Sequence, residues 1–287
     1  MAKPVVVGVD GSSTALRAVR WAMEEARRRG AALRIVHAVE PPALRFTGGF
    51  AESAGIVTKL RAEGERVVAE AAEVAGALPR VTTVIPAAAA PNALLAESAT
   101  AQLVVLGATG HHAFPALLVG AVPAVVVAHA HCAVAVVRGV EQAASAPVVM
   151  GIDGGPYSTA VIAAAFEEAA RRDVRLIAVH SWSDADLERF AGPARPYFGW
   201  EPVAEAERRL LAENLVGWQE KYPDVAVDRV AVRDRPRHLL LEWSKKAQLV
   251  VVGKRGRGGF AGLLLGSTSQ ALISHAHSPV LVVHRLR

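Results

Sequence analysis

The sequence predicts an α/β protein made of two tandem doubly wound parallel-sheet domains, each five-stranded. Three observations predict it. First, the chain repeats itself. Residues 5–39 (VVVGVDGSSTALRAVRWAMEEARRRGAALRIVHAV) align without a gap with residues 148–182 (VVMGIDGGPYSTAVIAAAFEEAARRDVRLIAVHSW) at an offset of 143. AQLVVLGATG (101–110) aligns with AQLVVVGKRG (247–256) at an offset of 146. Second, short apolar runs alternate in each copy with segments of helical period, as β and α taken in turn do. Third, those runs lack polar alternation, which fits strands covered by helices on both faces. The repeat sets the expected boundaries: domain 1 at 1–138, a small polar linker at 139–147 (GVEQAASAP), and domain 2 at 148–287.

Each element follows in order. VVVGV opens the first copy as a buried strand. In the next segment Ala15, Leu16, Val19, Ala22, Met23 and Ala26 recur at helical spacing, while Arg17, Arg20, Glu24, Arg27 and Arg28 take the other face. LRIVHAV and VRLIAVHSW are the second strands. Segments 41–58 and 184–203 gather Pro, Gly and aromatic residues and read as loops, with helices expected at 59–77 and 203–221. VTTVIP and VDRVAV are third strands, PNALLAESA and PRHLLLEWSKKA helices, and QLVVLG and QLVVVG fourth strands. A glycine loop and a short helix then lead to the last strands, AVAVVR and PVLVVHR. These are expected at sheet edges, where they favour pairing between domains and association of whole chains into a dimer.

Composition narrows the function classes. Of 287 residues, 52% are hydrophobic and 21% charged, which suits a globular chain. The start, MAKPVVVGVDGSS, has no signal-like apolar core, no stretch approaches a membrane span, and Cys132 is the sole cysteine. The expectation is a cytoplasmic protein without a membrane partner. The net charge of +5 is scattered among 27 acids, so no nucleic-acid partner is expected.

The exception is residues 253–267, GKRGRGGFAGLLLGS, directly after an apolar strand. Gly253 and Gly256 allow a tight turn whose amides can face an anion. Gly266, Ser267, Thr268 and Ser269 open a helix, whose free amides and dipole favour phosphate, and Lys254, Arg255 and Arg257 add charge. Ligands of such sheets bind at the strands' carboxyl ends, where Asp10 and Asp153 also lie.

On VGVDGS, IVHAV, SPVLVV and above all the spacing G-x2-G-x9-G-S at Gly253, Gly256, Gly266 and Ser267, the chain resembles the universal stress proteins, in the tandem two-domain form found in actinomycetes. The resemblance implies a Rossmann-like, adenine nucleotide α-hydrolase-like fold and an ATP site, with or without Mg²⁺. It implies Asp153 beside adenine or ribose, with Gly151 before it, backbone contacts from Ser181, and Asp184 as a ribose contact. Gly253 to Gly259, including Gly258 and Gly259, would hold ribose and phosphates together with Gly266 to Ser269. Gly8, Asp10, Ala38, Gly107, Gly110 and Gly120 match in domain 1.

Domain 1 departs from the pattern. Ala121 and Pro123 stand for Ser267 and Ser269, Ala108 and Thr109 for Lys254 and Arg255, and His111 and His112 for Arg257 and Gly258. The expectation is a site that binds ATP in domain 2 and a weak or empty one in domain 1. The Walker pattern is absent and no paired acid and base stand in the loop, so a nucleotide-dependent regulator is expected in stress response or growth arrest, with no catalytic residues. A slow ATP hydrolase or nucleotidyl transferase is the alternative. The pairs His129/His131 and His275/His277 lack completing ligands and read as hydrogen-bonding residues near helix ends, with no metal site. Cys132 reads as a buried, inert thiol. The downstream protein partner is left open.

Overall fold

The computed structural model describes residues 2–40, 50–76, 78–110, 119–182, 200–257 and 264–284, the side chains of 50–56 excepted. The chain divides into two compact units, Met1–Val137 and Arg138–Arg287. Unit 1 contains β1 (Val5–Gly8), α1 (Ser13–Arg28), β2 (Leu33–Val36), α2 (Phe50–Val74), β3 (Val81–Val84), α3 (Ala90–Ser98), β4 (Leu103–Gly107), α4 (Ala121–His129) and β5 (Ala133–Val137). Its strand order is β3-β2-β1-β4-β5 and every pair is parallel. Unit 2 contains β6 (Val148–Ile152), α5 (Ser158–Arg172), β7 (Leu176–Trp182), α6 (Glu201–Asn214), α7 (Trp218–Lys221), β8 (Val227–Arg233), α8 (Pro236–Ser244), β9 (Leu249–Gly253), α9 (Ser267–His275) and β10 (Val280–Val283). Its order is β10-β9-β6-β7-β8, again parallel throughout.

These are doubly wound sheets of five strands. The chain moves one way through the first three strands of each unit and the other way through the last two. The direction reverses between β1 and β4 and between β6 and β9, and ligands of open α/β sheets bind outside the carboxyl ends at such reversals. The central strands are apolar because both faces are covered: Val5, Val6 and Val7 are buried in β1, and Leu249 to Val252 in β9. Each unit is tied at the amino end of its sheet by a glutamine. Gln102 donates its backbone N–H to Pro4 O (3.0 Å) and its side-chain amide to Lys3 O, and Gln248 donates its backbone N–H to Pro147 O (3.0 Å) and its side-chain amide to Ala146 O (2.6 Å).

Two helices differ from the sequence expectation. α2 begins at Phe50, inside the segment read as a loop. Its Gly55 is tolerated within the helix at a cost of about 1 kcal/mol relative to alanine. The helix expected over 203–221 is broken. α6 stops at Asn214, Gly217 turns the chain in the left-handed region (φ 79°), and α7 follows. The break lets Trp218 and Tyr222 gather on Phe166, at ring centroid distances of 5.9 and 5.5 Å.

Candidate functional site

At the β6/β9 reversal, the first site residue is Asp153. Its Oδ1 accepts the Gly155 amide at 2.8 Å, and its Oδ2 accepts the Arg257 amide. One carboxylate therefore joins the loop after β6 to the glycine loop after β9. That gives Gly256 a reason the sequence does not state: a Cβ there would press on Asp153 Oδ2. Unit 1 keeps the arrangement, since a Cβ at Gly110 would lie 2.6 Å from Asp10 Oδ2, while Asp10 Oδ1 accepts the Ser12 amide at 3.0 Å.

The other glycines sort by what they touch. A Cβ at Gly253 would lie 2.7 Å from Tyr157 Cβ, and one at Gly107 would lie 2.9 Å from the Thr14 backbone. The first loop glycine thus sits against the start of the helix that follows the first strand. Gly151 and Gly8 have a packing role. A Cβ would meet Leu240 and Leu106, respectively, at 2.7 Å. Gly266 closes the loop by donating its amide to Lys254 O at 2.9 Å, as Gly120 does to Ala108 O at 2.8 Å.

The loop then runs into α9. Gly266 caps this helix in extended conformation with no side chain bonded to the helix start. The first amides of a helix lack intrahelical acceptors, so those of Ser267, Thr268 and Ser269 are available to an anion. The Ser269 hydroxyl is already engaged. It is buried and donates to Gly253 O at 2.6 Å, fixing the helix start to the end of β9. Ser267 is exposed and Thr268 half-buried. α4 in unit 1 begins the same way at Gly120, but Pro123 has no N–H and Ala121 no hydroxyl. Its helix start offers one amide fewer.

Positive charge gathers at this end of unit 2. Burial, with the Arg255 charge beside it, holds the Lys254 ammonium below its ordinary range. The Arg257 guanidinium lies over Gly154, in the left-handed region (φ 68°), in the space a Cβ would fill. Unit 1 instead has hydroxyls at this corner. Thr14 donates to Thr109 O, and Ser12 lies 2.9 Å from Thr14 Oγ1 and accepts the Ala15 amide at 3.2 Å to cap α1. No side chain caps α5. A cavity of about 250 Å³ at the end of β1 is lined by Asp10, Gly11, Glu63, Arg66, Val67 and Glu70, a lining richer in carboxylates than in cations.

On the β7 side, the Ser181 hydroxyl donates to Asp234 O at 2.5 Å. His180, just before it, is buried between two acceptors: Nδ1 lies 2.9 Å from Ile152 O and Nε2 2.6 Å from Glu207 Oε2. His37 keeps the first contact, to Val9 O at 2.9 Å, but the residue matching Glu207 is Gly64, whose Cβ would touch the His37 ring. Glu207 was missed from sequence because a glutamate on a polar helix looks like solvent-facing charge. Its contrast with Gly64 in the repeat is the signal that marks it. Ala38 follows His37 past the end of β2.

Asp184, Gly258, Gly259, His111 and His112 lie outside the described residues. His129, His131, His275 and His277 are exposed. It is the backbone amides of His131 and His277 that bond, to Ser98 Oγ (3.1 Å) and Ser244 Oγ (2.9 Å), so the expected structural role falls to the backbone. Among the described residues no three His, Cys, Asp or Glu side chains are grouped to hold a metal, and no helix is long and apolar enough to cross a membrane.

A model of the universal stress protein family matches residues 1–138 and 146–284. Universal stress protein Rv2623 of Mycobacterium tuberculosis is 38% identical over 289 residues, covering 97% of this chain and 95% of the relative. A universal stress protein of Mycolicibacterium smegmatis is 40% identical, covering 97% of this chain and 96% of the relative. The crystal structure of a universal stress protein from Archaeoglobus fulgidus superposes with a TM-score of 0.73 at 16% identity, over 99% of this chain and 96% of that one, a likeness of fold.

Proposed function

Because the chain belongs to the universal stress protein family, we propose that it is an ATP-binding regulator of stress response or growth arrest whose working site is in unit 2. One observation carries the reading: the loop Gly253–Ser267 turns back through the Gly266 amide onto an uncapped helix start, with Lys254 and Arg255 at its base. Amides aimed outward from a helix start, beside cations, suit a chain of phosphates. Asp153 supports the site indirectly. By holding the amides of Gly155 and Arg257 it keeps the two loops in place before any ligand arrives, so less ordering is left for binding to offset. A polyanion here also relieves the repulsion between Lys254 and Arg255. Cytoplasmic residence, a homodimer and regulation without turnover belong to the same reading.

Isothermal titration with ATP tests it. We expect about one strong site per chain, weakened about tenfold by Asp153→Asn, since an amide leaves one of the two loop N–H groups without an acceptor, a loss of about 1.4 kcal/mol. Asp10→Asn should leave that affinity unchanged. Equal effects of the two substitutions would remove the distinction between units. Steady phosphate release from ATP, abolished by Asp153→Asn, would favour an enzyme instead.

A further inference from the structure

The carboxyl end of β7 is pinned from both faces of the sheet. Consecutive strand residues point to opposite faces, so His180 and Ser181 hold different neighbours. On one face His180 bridges two elements, with Nδ1 2.9 Å from Ile152 O at the end of β6 and Nε2 2.6 Å from Glu207 Oε2 on α6. On the other, the Ser181 hydroxyl donates to Asp234 O at 2.5 Å, and the Asp234 amide donates back to Trp182 O at 3.1 Å. Unit 1 supplies an internal control. His37 keeps its contact with Val9 O at 2.9 Å, but Gly64 stands at the position of Glu207 and Ala38 at that of Ser181. The fold therefore closes without either tie.

The histidine contact has a definite polarity. A carbonyl oxygen only accepts, so Nδ1 carries a proton and donates it to Ile152 O. Nε2 and a carboxylate oxygen would then both be acceptors, so a further proton lies between Nε2 and Oε2 and the two groups share it. His180 is buried, and the Glu207 side chain is 25% exposed in the pair. Ile152 directly precedes Asp153, whose carboxylate holds the two loops of the site. Glu207 thus reaches, through one imidazole, both the end of β7 and the residue before Asp153.

This end of β7 lies within reach of a nucleotide. Strand order reverses between β6 and β9, so a ligand with its phosphates on the β9 loop extends its other end over β6. β7 is the next strand, two strand spacings or about 10 Å from β9. It runs two residues past His180, the last to pair with β6. Trp182 O turns toward β8, where it meets the Asp234 amide, so the carbonyl of Ser181 turns to the β6 side. An acceptor there suits the 6-amino group of adenine and opposes a base with a 6-oxo group. We propose that Glu207 is a positioning residue for the base: through His180 it fixes the end of β7, so that selection of adenine is a property of unit 2. The proposal rests on the ATP reading of this site and adds to it the residue that sets base preference. A link between α6 and β7 can also serve stability alone, and the experiment separates the two roles.

The full chain is titrated with ATP, with inosine triphosphate and with inorganic triphosphate. The wild type should prefer ATP to the inosine nucleotide. Glu207→Ala should lose about tenfold in ATP affinity and most of that preference, with affinity for inorganic triphosphate unchanged. Glu207→Gln tests the link without the charge. Its amide can donate to the bare Nε2, so ATP affinity should stay within about threefold of wild type. Glu207→Asp keeps the charge but draws the carboxylate back, and should fall between the two. In proton NMR the wild type should show a downfield, exchange-protected imidazole N–H signal that Glu207→Ala lacks. Equal losses for ATP and inorganic triphosphate in Glu207→Ala overturn the proposal and leave the pair a structural link. So does a folded Glu207→Ala chain that still prefers ATP as the wild type does, an outcome that leaves the ATP reading standing. A wild-type chain that binds none of the three ligands overturns that reading and this proposal with it.

Discussion

Cys132 shows how burial sets the chemistry of a single residue. It is half-buried between α4 and β5, and desolvation raises its thiol to about 11, although a hydrogen bond with Val104 and the charges of Lys3 and Arg29 pull the other way. At pH 8 the thiolate fraction is then on the order of one in a thousand. Iodoacetamide labelling of the native chain should be slow at pH 8 and rise about tenfold per pH unit, while the urea-unfolded chain reacts promptly. Fast native labelling at neutral pH would contradict the assignment. The same shift has a stability consequence of definite sign. The folded thiol keeps its proton up to about pH 11, and an unfolded one ionises near pH 8.5. Its contribution is full below about pH 8.5 and is lost as pH rises through the folded value. Asp153 and Gly256 make a different point about single residues. Each is conspicuous in the sequence, but the reason for the glycine is the carboxylate that presses against it, a contact across 103 positions that no local pattern encodes.

At the scale of elements, the strands were readable because burial on both faces leaves an uninterrupted apolar run, and a repeated run is hard to mistake. The helices were readable where one face is buried, as in α1, where Ala15, Val19, Ala22 and Ala26 face inward. They were less readable where tertiary contacts decide. Gly217 ends a helical period that the sequence continues, because the Phe166, Trp218 and Tyr222 rings stack only if the chain turns there. The first helix of each unit holds a further feature that periodicity hides: a fully buried glutamate among arginines. Glu25 lies 3.2 Å from Arg28 and 3.3 Å from Arg29, and Glu168 pairs with Arg171 at 3.1 Å and with the buried Arg172. Read by charge alone, both glutamates belong on the solvent face. Removing one partner of a buried pair leaves the other uncompensated, so Glu168→Ala should cost about 3–5 kcal/mol. Glu167→Ala, whose side chain is 45% exposed in its pair with Arg171, should cost under about 1 kcal/mol. Chemical denaturation of the two variants checks the contrast, and similar losses would mean that burial does not govern the pair.

For the whole molecule, the repeat separates what the fold needs from what the site needs. Features present in both units are structural: the Asp10 and Asp153 seats at the second loop glycine, the closing amides of Gly120 and Gly266, and the serine hydroxyls of Ser98 and Ser244 that receive a histidine amide. Features present in one unit are free to serve function. Lys254, Arg255 and Ser267 have no polar equivalent at Ala108 and Ala121 and only a threonine at Thr109, and Pro123 removes an amide that Ser269 retains. If loop chemistry alone explains the difference, it should be transferable. The combined change Ala108→Lys, Thr109→Arg, Ala121→Ser and Pro123→Ser rebuilds the charge, hydroxyl and amide on the unit 1 scaffold. It should raise ATP stoichiometry from about one toward two per chain, and the added affinity should fall with salt as a phosphate contact does. The serine at 123 should also tie α4 to the carbonyl of Gly107, as Ser269 ties α9 to Gly253. A folded graft that still binds at a single site would move the cause to the acidic lining of the unit 1 cavity, where Glu63 and Glu70 stand with Asp10. In that case Glu63→Gln and Glu70→Gln on the grafted chain should restore the second site, because removing two carboxylates from the cavity lowers the repulsion that an incoming triphosphate meets.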